Sequence, residues 1–310
     1  MQNPVQIPCL NYIRLSMSTT VITENIFGSD KPDRPLYHYT TQEGLLGIVK
    51  KREMWATHHQ YLNDTQEFLH AKALFCTEIE RRLNSESAGS EICLVLEEMR
   101  SAVNRSNENT SWYVASFSED GDSLPQWRAY GGPTSGFALG IWCDQLVLPS
   151  GFRMKRCIYD LKRQRDFAEA SITWQLKSAL AERTELGRVE AGMGLSMILG
   201  LLALTFKNEK FKEEKEWRII GFPPNRINPV LADPPQEKIQ LEFREGRSML
   251  VPYLPVPLKN DKGEFPLDRV VVGPNPNPEQ SLRSVKILLE SQGLFAAMKS
   301  ISSDIPYRNW

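Results

Sequence analysis

One short stretch constrains this chain more than any other. From Glu214 the sequence runs Glu-Lys-Glu-Trp-Arg-Ile-Ile-Gly to Gly221, with Glu214, Glu216 and Arg218 at one parity and Trp217 and Ile219 at the other. Successive side chains on a strand point to opposite faces. The spacing therefore predicts a strand over 214–220 with one polar and one apolar wall. Two acids and an arginine beside a tryptophan make a concentrated polar surface, and Glu216 is the catalytic candidate on it. The same pattern also fits a surface ion pair, worth at most about 1 kcal/mol. Two companion stretches, Leu36-Tyr37-His38-Tyr39-Thr40 and Ser111 to Ser118, read as strands too. The three are expected to meet at one cleft faced by His38, Ser116 and Glu216, with Trp217 on the opposite side.

Length and charge bound the remaining choices. A chain of 310 residues with net charge −1 has ample length for a buried core and no global basic field for nucleic acid or an anionic membrane. Its five cysteines are scattered without a CxxC spacing, which speaks for a reducing, cytoplasmic setting over a disulfide or zinc scaffold. No basic head followed by an apolar core opens the chain, so no secretory signal is read. The most apolar run, 192–206, has about fifteen residues against the roughly twenty that span a bilayer. It reads as a buried helix.

Taken in order, residues 1–35 lack periodicity and read as a loosely held arm, with Met1 and Met17 both available as starts. The strand at 36–39 leads through a capping box, Thr40 with Glu43, into a helix bearing Leu45, Ile48 and Val49. A strand over 53–57 precedes a second capping box, Asp64 with Glu67, and a helix striped by Phe68, Phe75, Ile79 and Leu83. A helix over 91–103, a strand over 112–118 and a short helix opened by Pro125 and closed by Gly131-Gly132 come next. Strands are read over 136–142 and 152–159, helices over 161–186 and 189–206, and strands over 248–251 and 269–272. A last helix has Asn277 as N-cap and Gly293 beyond its end. This irregular alternation predicts an α+β fold. A single domain over 36–310, with a helical insertion at about 160–210, is the expected organisation.

Several familiar sites are excluded: the sequence holds no GxxxxGK[ST], no GxGxxG after a strand, no HExxH and no GxSxG. His58-His59 with Asp64 has little metal character, because adjacent strand residues point apart. Asn63 and Asp64 read first as helix caps. Trp127-Arg128-Ala129-Tyr130 could stack a planar ring and bind a phosphate through the guanidinium fork, or Trp127 could pack in the core with Arg128 in an ion pair. Ser116 and Ser118 could line a site or simply bond to neighbouring backbone.

The blocks L-Y-H-Y-T, W-A-T, Y-L-N-D, A-S-F-S-E, D-S-L-P-Q-W-R-A-Y-G, G-F-A-L-G, E-K-E-W-R-I and V-V-V-G-P, from about Tyr37 to Leu294, resemble the domain-of-unknown-function family 2971. Those blocks are in turn similar to the three-part signature of ADP-ribosyltransferases. That second resemblance implies an ADP-ribosyltransferase-like split mixed sheet with helical insertions, and NAD as substrate with no metal. His38 matches the ribose-contacting position, Ser116-Phe117-Ser118 the strand shaping the nicotinamide pocket, and Glu216 the catalytic acid, with Glu214 two before it. Tyr39 or Trp127 would stack on nicotinamide, Thr40 would border it, and Arg128 or Arg218 would pair with the pyrophosphate. The resemblance implies a bacterial toxin or antiphage defence effector, a protein, nucleic-acid or water acceptor, an antitoxin or partner protein, and no membrane. Two other classes stay open: a non-enzymatic nucleotide- or protein-binding module, and a metal-dependent hydrolase or nuclease using Glu214, Glu216 and Asp64.

Overall fold

A computed structural model describes residues 31–62, 66–106, 111–132, 136–221, 239–246 and 248–306. Its strands are β1 (Leu36–Thr40), β2 (Glu53–His58), β3 (Tyr113–Ser118), β4 (Phe137–Ile141), β5 (Arg153–Arg156), β6 (Glu216–Gly221), β7 (Glu242–Glu245), β8 (Leu250–Pro257), β9 (Leu267–Val272) and β10 (Ile301–Ser302). The helices are α1 (Gln42–Lys51), α2 (Gln66–Leu83), α3 (Glu91–Arg105), α4 (Leu124–Tyr130), α5 (Leu161–Glu182), α6 (Glu185–Ala203) and α7 (Pro278–Ser291). The fold is mixed α and β, built on one open mixed sheet. All its strand pairs are antiparallel except β9 with β10.

The sheet branches at β3. One edge of β3 pairs with β6 along its whole length, from Tyr113↔Gly221 to Ser118↔Glu216. The other edge is shared: β2 takes the start, Val114↔Thr57, and β1 takes the end, Ser118↔Tyr37. Beyond β1 lie β4, β9 and β10, and beyond β2 lie β8 and β7. The two arms therefore part beside Ser116, and a fork opens in the sheet.

Two apolar cores flank this framework. One joins the sheet to α1 and α7 through Leu36, Phe117, Trp217, Leu254, Val270 and Leu289. The other is helical: α2, α3, α5 and α6 pack around Phe75, Leu96, Ile172, Leu195 and Phe206. The helical layer thus draws on residues 66–105 as well as on the stretch between β5 and β6. At 19 residues, α6 is long and apolar enough to cross a bilayer, but it is mostly buried within this layer.

Several boundaries differ from the sequence reading. The polar strand begins at Glu216, because 209–214 coil as a 3-10 helix and Lys215 turns the chain at φ 44°. Helix α1 is capped by Thr41, whose hydroxyl accepts from the Gly44 amide at 3.3 Å, while Thr40 ends β1. Arg183 at φ 50° separates α5 from α6 three residues before the expected end. Strand β8 continues through Pro252, Pro255 and Pro257. Proline is tolerated near sheet edges, and among the described residues only the four-residue β7 lies beyond β8. Strands β7 and β10 were not read from the sequence. Residues 1–30 of the arm expected over 1–35, and the caps Asn63 and Asp64, lie outside the described residues.

Candidate active site

The β3–β6 ladder sets the site. Ser116 faces Arg218 and Ser118 faces Glu216 across it, so these four side chains share one face. Trp217 and Phe117, at the other parity, enter the sheet core. Trp217 is 4% exposed, and its indole N–H donates to Glu119 Oε1 at 2.8 Å.

Glu216 is itself buried, at 6% exposed, and does not sit on a wet surface as the alternating pattern implies. The reason is a cluster of charges contributed by distant segments. Arg218 Nε and Nη2 donate to Glu216 Oε1 and Oε2 at 2.8 and 3.0 Å. Its Nη1 and Nη2 donate to Glu67 Oε2 and Oε1 at 2.7 and 2.9 Å, and Nη1 also reaches the Leu204 carbonyl at 2.8 Å. A guanidinium has five N–H donors, and every one is accounted for. Lys207 Nζ donates to Glu216 Oε2 at 2.5 Å and also to Glu214 Oε2. Burial works to raise the Glu216 pKa, but Arg218 and Lys207 outweigh it and bring it down to about 2. Burial dominates at Glu67 and pushes its pKa up, with Arg218 opposing.

The supports of this cluster are local and specific. Glu67 leaves the solvent face of α2 because it heads the series Glu67, Ala71, Phe75, Ile79, all buried at a spacing of four. Lys207 is held by its backbone: its N–H donates to the Ile158 carbonyl at 3.1 Å, and its carbonyl accepts from Gln164 Nε2 at 2.9 Å. Glu216 N–H donates to the Tyr159 hydroxyl at 2.9 Å.

Against this charged wall lies a cleft lined by Tyr37, His38, Tyr39, Ser116, Phe117, Ser118, Gln126, Tyr130, Glu214 and Glu216. It opens to solvent. It lies at the fork of the sheet. There the Ser116 carbonyl takes a hydrogen bond from His38 Nδ1 at 2.9 Å. A carbonyl can only accept, so Nδ1 carries the proton and Nε2 is the acceptor of the neutral ring. Burial lowers the His38 pKa, partly offset by that bond, which keeps the ring neutral near pH 7. Tyr37 fits between Gly121 and Gly140, where an added Cβ would come within 2.5 and 2.9 Å of its ring.

The remaining candidates are placed elsewhere or otherwise engaged. Tyr39 lines the cleft, but its hydroxyl donates to the Asp120 carbonyl at 2.8 Å and accepts from Ser123 N–H at 2.9 Å. Trp127 is 3% exposed and packs edge-on against Tyr39, with ring centroids 4.6 Å apart. It is absent from the cleft wall, so it offers no stacking face there. The Ser118 hydroxyl donates to the Glu214 carbonyl and accepts from Asp120 N–H, at 2.8 and 3.1 Å. Thr40 packs on Gly44 of α1. Arg128 is exposed and outside the cleft wall, and Arg218 is consumed by the charge cluster. Glu67, Lys207 and Gln126 complete the site and are not among those candidates, while Tyr130 is the member of the Trp127–Tyr130 stretch that lines the cleft. Among the described residues no group of three or more His, Cys, Asp or Glu is arranged to hold a metal ion, and Asp64 lies outside them.

One comparison with known proteins bears on this wall. Residues 126–219 match DUF2971, a protein family of unknown function. The DUF2971 stretch runs from Gln126 to Ile219 and so carries Gln126, Tyr130, Lys207, Glu214, Glu216 and Arg218, while His38, Glu67 and Ser116 precede it. It is narrower than the 37–294 span of the resemblance read from the sequence. No curated protein and no solved structure matches the chain significantly.

Proposed function

We propose that the cleft takes the nicotinamide–ribose half of NAD and that the protein is an ADP-ribosyltransferase-like enzyme. The observation that carries this reading is the convergence of His38, Ser116 and Glu216 on one cleft at the fork of the sheet. A sheet parted in this way also agrees with the split sheet expected of such an enzyme.

The chemistry breaks the bond between ribose C1′ and the nicotinamide nitrogen. The bonding electrons leave with nicotinamide, which departs neutral, and C1′ passes through an oxocarbenium-like state. An acceptor nucleophile (a protein, a nucleic acid or water) then bonds to C1′ and gives up a proton. Glu216 supplies what that state needs. Held ionised with a pKa of about 2, it is a poor proton acceptor and a permanent negative charge, so its part is electrostatic. Three carboxylates, Glu67, Glu214 and Glu216, share two cations, Lys207 and Arg218, which leaves the wall net negative. Oε1 of Glu216 accepts one bond and Oε2 two, so Oε1 keeps a lone pair for a ribose hydroxyl. His38 Nε2 accepts from a second hydroxyl. Glu214, nearer solvent, faces the acceptor. With Arg218 fully bonded, the pyrophosphate lies toward the open mouth. A cytoplasmic toxin or defence effector, held in check by a partner protein, is the setting that accompanies this reading.

The test is to incubate the protein with NAD, with and without cell extract, and measure nicotinamide release. Glu216→Gln is expected to lower the rate about 10²- to 10³-fold while the protein remains folded. A second reading, a nucleotide-binding module, draws on the burial of Glu216 among cations, which a purely structural cluster would share. Wild-type protein in an active extract that neither labels a macromolecule nor consumes NAD, yet melts higher with nucleotide, would establish that module instead.

A further inference from the structure

We propose that a second copy of this chain pairs with the outer edge of β7, giving a two-fold dimer in which the two sheets join antiparallel about Phe243. This surface stands apart from the cleft, and the inference does not depend on the NAD-cleaving reading.

Prolines single out β7 as the open edge. Bonded and unbonded residue pairs alternate along an antiparallel ladder. On its inner side β8 bonds through even-numbered residues: Leu258 N–H donates to the Arg52 carbonyl at 2.8 Å, and Val256↔Met54 and Leu254↔Ala56 follow at two-residue steps. Its odd-numbered residues therefore point outward. Where β8 runs past β7 these are Pro255 and Pro257, which have no N–H to offer another strand. Strand β7 has no such protection. Gly246 N–H donates to the Met249 carbonyl at 3.0 Å, so the bonded pairs of this hairpin are Arg244↔Val251 and Glu242↔Tyr253. Phe243 and Glu245 then turn their N–H and C=O outward, and among the described residues no strand lies beyond them. All four residues of β7 are exposed, Phe243 at 58%. Such an edge is a template for another strand.

Charge selects both the occupant and the register. Two copies paired about Phe243 set that residue against itself as a bonded pair, and set Glu242 against Arg244 of the second copy, twice over. The unbonded pairs are the closely spaced ones, with Cα atoms about 4.5 Å apart, and opposite charges there attract. Pairing about Glu242, Arg244 or Glu245 would instead set like charges against each other. Both charged groups have capacity to spare. Glu242 Oε2 accepts from the Tyr253 hydroxyl at 2.5 Å, and a carboxylate holds further lone pairs. Arg244 Nη2 reaches Thr57 Oγ1 at 3.4 Å, a long bond that leaves most of its fork for the second copy. On the opposite face the two Phe243 rings meet, with the exposed Leu241 of each copy beside them. A strand this short makes an interface of the small, transient class, so the dimer is expected to dissociate in the micromolar range.

Sedimentation velocity on the full chain, from micromolar to millimolar concentration, reads the dimer, and circular dichroism checks that each variant is folded. Wild type is expected to pass from monomer to dimer and no further, because a two-fold pairing uses up the edge. Glu242→Arg and Arg244→Glu each set like charges opposite and should each weaken the dimer about tenfold or more. Mixed in equal amounts, these two variants should form a heterodimer of about wild-type strength, and a chain carrying both changes should again pair with itself. Phe243→Pro removes an outward N–H and no bond of the hairpin; it should abolish the dimer, and it keeps the test decisive if a charge variant does not fold. A dimer indifferent to these changes overturns the pairing. So does a wild type that stays monomeric throughout, which would leave the edge to an extended segment of a different protein.

Discussion

Arg218 on β6 clasps Glu67 on α2 through two parallel hydrogen bonds of 2.7 and 2.9 Å, across 151 positions of sequence. The same guanidinium holds Glu216, so one side chain ties the helical layer to the charged wall of the cleft.

Arg218→Met tests how much of the fold depends on that tie. It strands the buried Glu67 without its cation and leaves Glu216 with Lys207 alone, and removing one partner of a buried pair typically costs about 3–5 kcal/mol. Urea denaturation is expected to show a midpoint lowered accordingly. A midpoint near the wild-type value would mean that Glu67 and Glu216 are wetter than their burial implies.

Acid should act through Glu216 in a defined window. Its pKa in the folded chain, about 2, lies below its ordinary value of 4.5. The stability it contributes is complete above about pH 4.5 and is lost as pH falls toward 2. Glu67, with its pKa raised by burial, works in the opposite sense. Unfolding free energy measured over this range should fall less steeply in Glu216→Gln than in wild type, and parallel curves would refute the assignment.

Trp217→Ala separates the two faces of β6. The indole is buried in the sheet core and bonded to Glu119, so its loss should cost about 3–5 kcal/mol. The thermal midpoint is expected to drop, while nicotinamide release per folded molecule, measured well below that midpoint, changes little. A loss of activity without a loss of stability would reverse the two roles.

Gly121→Ala probes the cleft without touching a charged group. The new Cβ would meet the Tyr37 ring at 2.5 Å, so the ring must move. Such overpacking costs about 1–3 kcal/mol. The KM for NAD is expected to rise more than kcat falls, and an unchanged KM would remove Tyr37 from the substrate-contacting wall.

The parts of this site that local pattern carries were readable in the sequence. Alternation places Ser116 and Glu216 on one face and Trp217 on the other, but it sets His38 at the parity of Phe117 and Trp217, because Tyr37 is the residue opposite Ser118; the imidazole reaches the Ser116 carbonyl through the fork. What could not be read depends on partners far along the chain. Glu67 looks like half of a capping box until Arg218 draws it inward, although its place at the head of the buried series with Ala71, Phe75 and Ile79 was a usable signal. Lys207 follows an apolar helix and looks like a solvated end until Glu214 and Glu216 surround it. In the stretch from Leu124 to Tyr130, the eye goes to Trp127 and Arg128. The helix rotates those two away and presents Gln126 and Tyr130, the pair at the four-residue spacing.

The clasp between Glu67 and Arg218 also sets a timetable. During synthesis the first partner leaves the ribosome long before the second, and Glu216 precedes Arg218 by two residues. Until residue 218 is made and β6 has docked on β3, neither the guanidinium that orients Glu216 nor one edge of the cleft exists. Contacts closing such long loops form late. A nascent or truncated chain ending before β6 therefore lacks the charged wall, and the cleft is complete only with the strand that closes the fork.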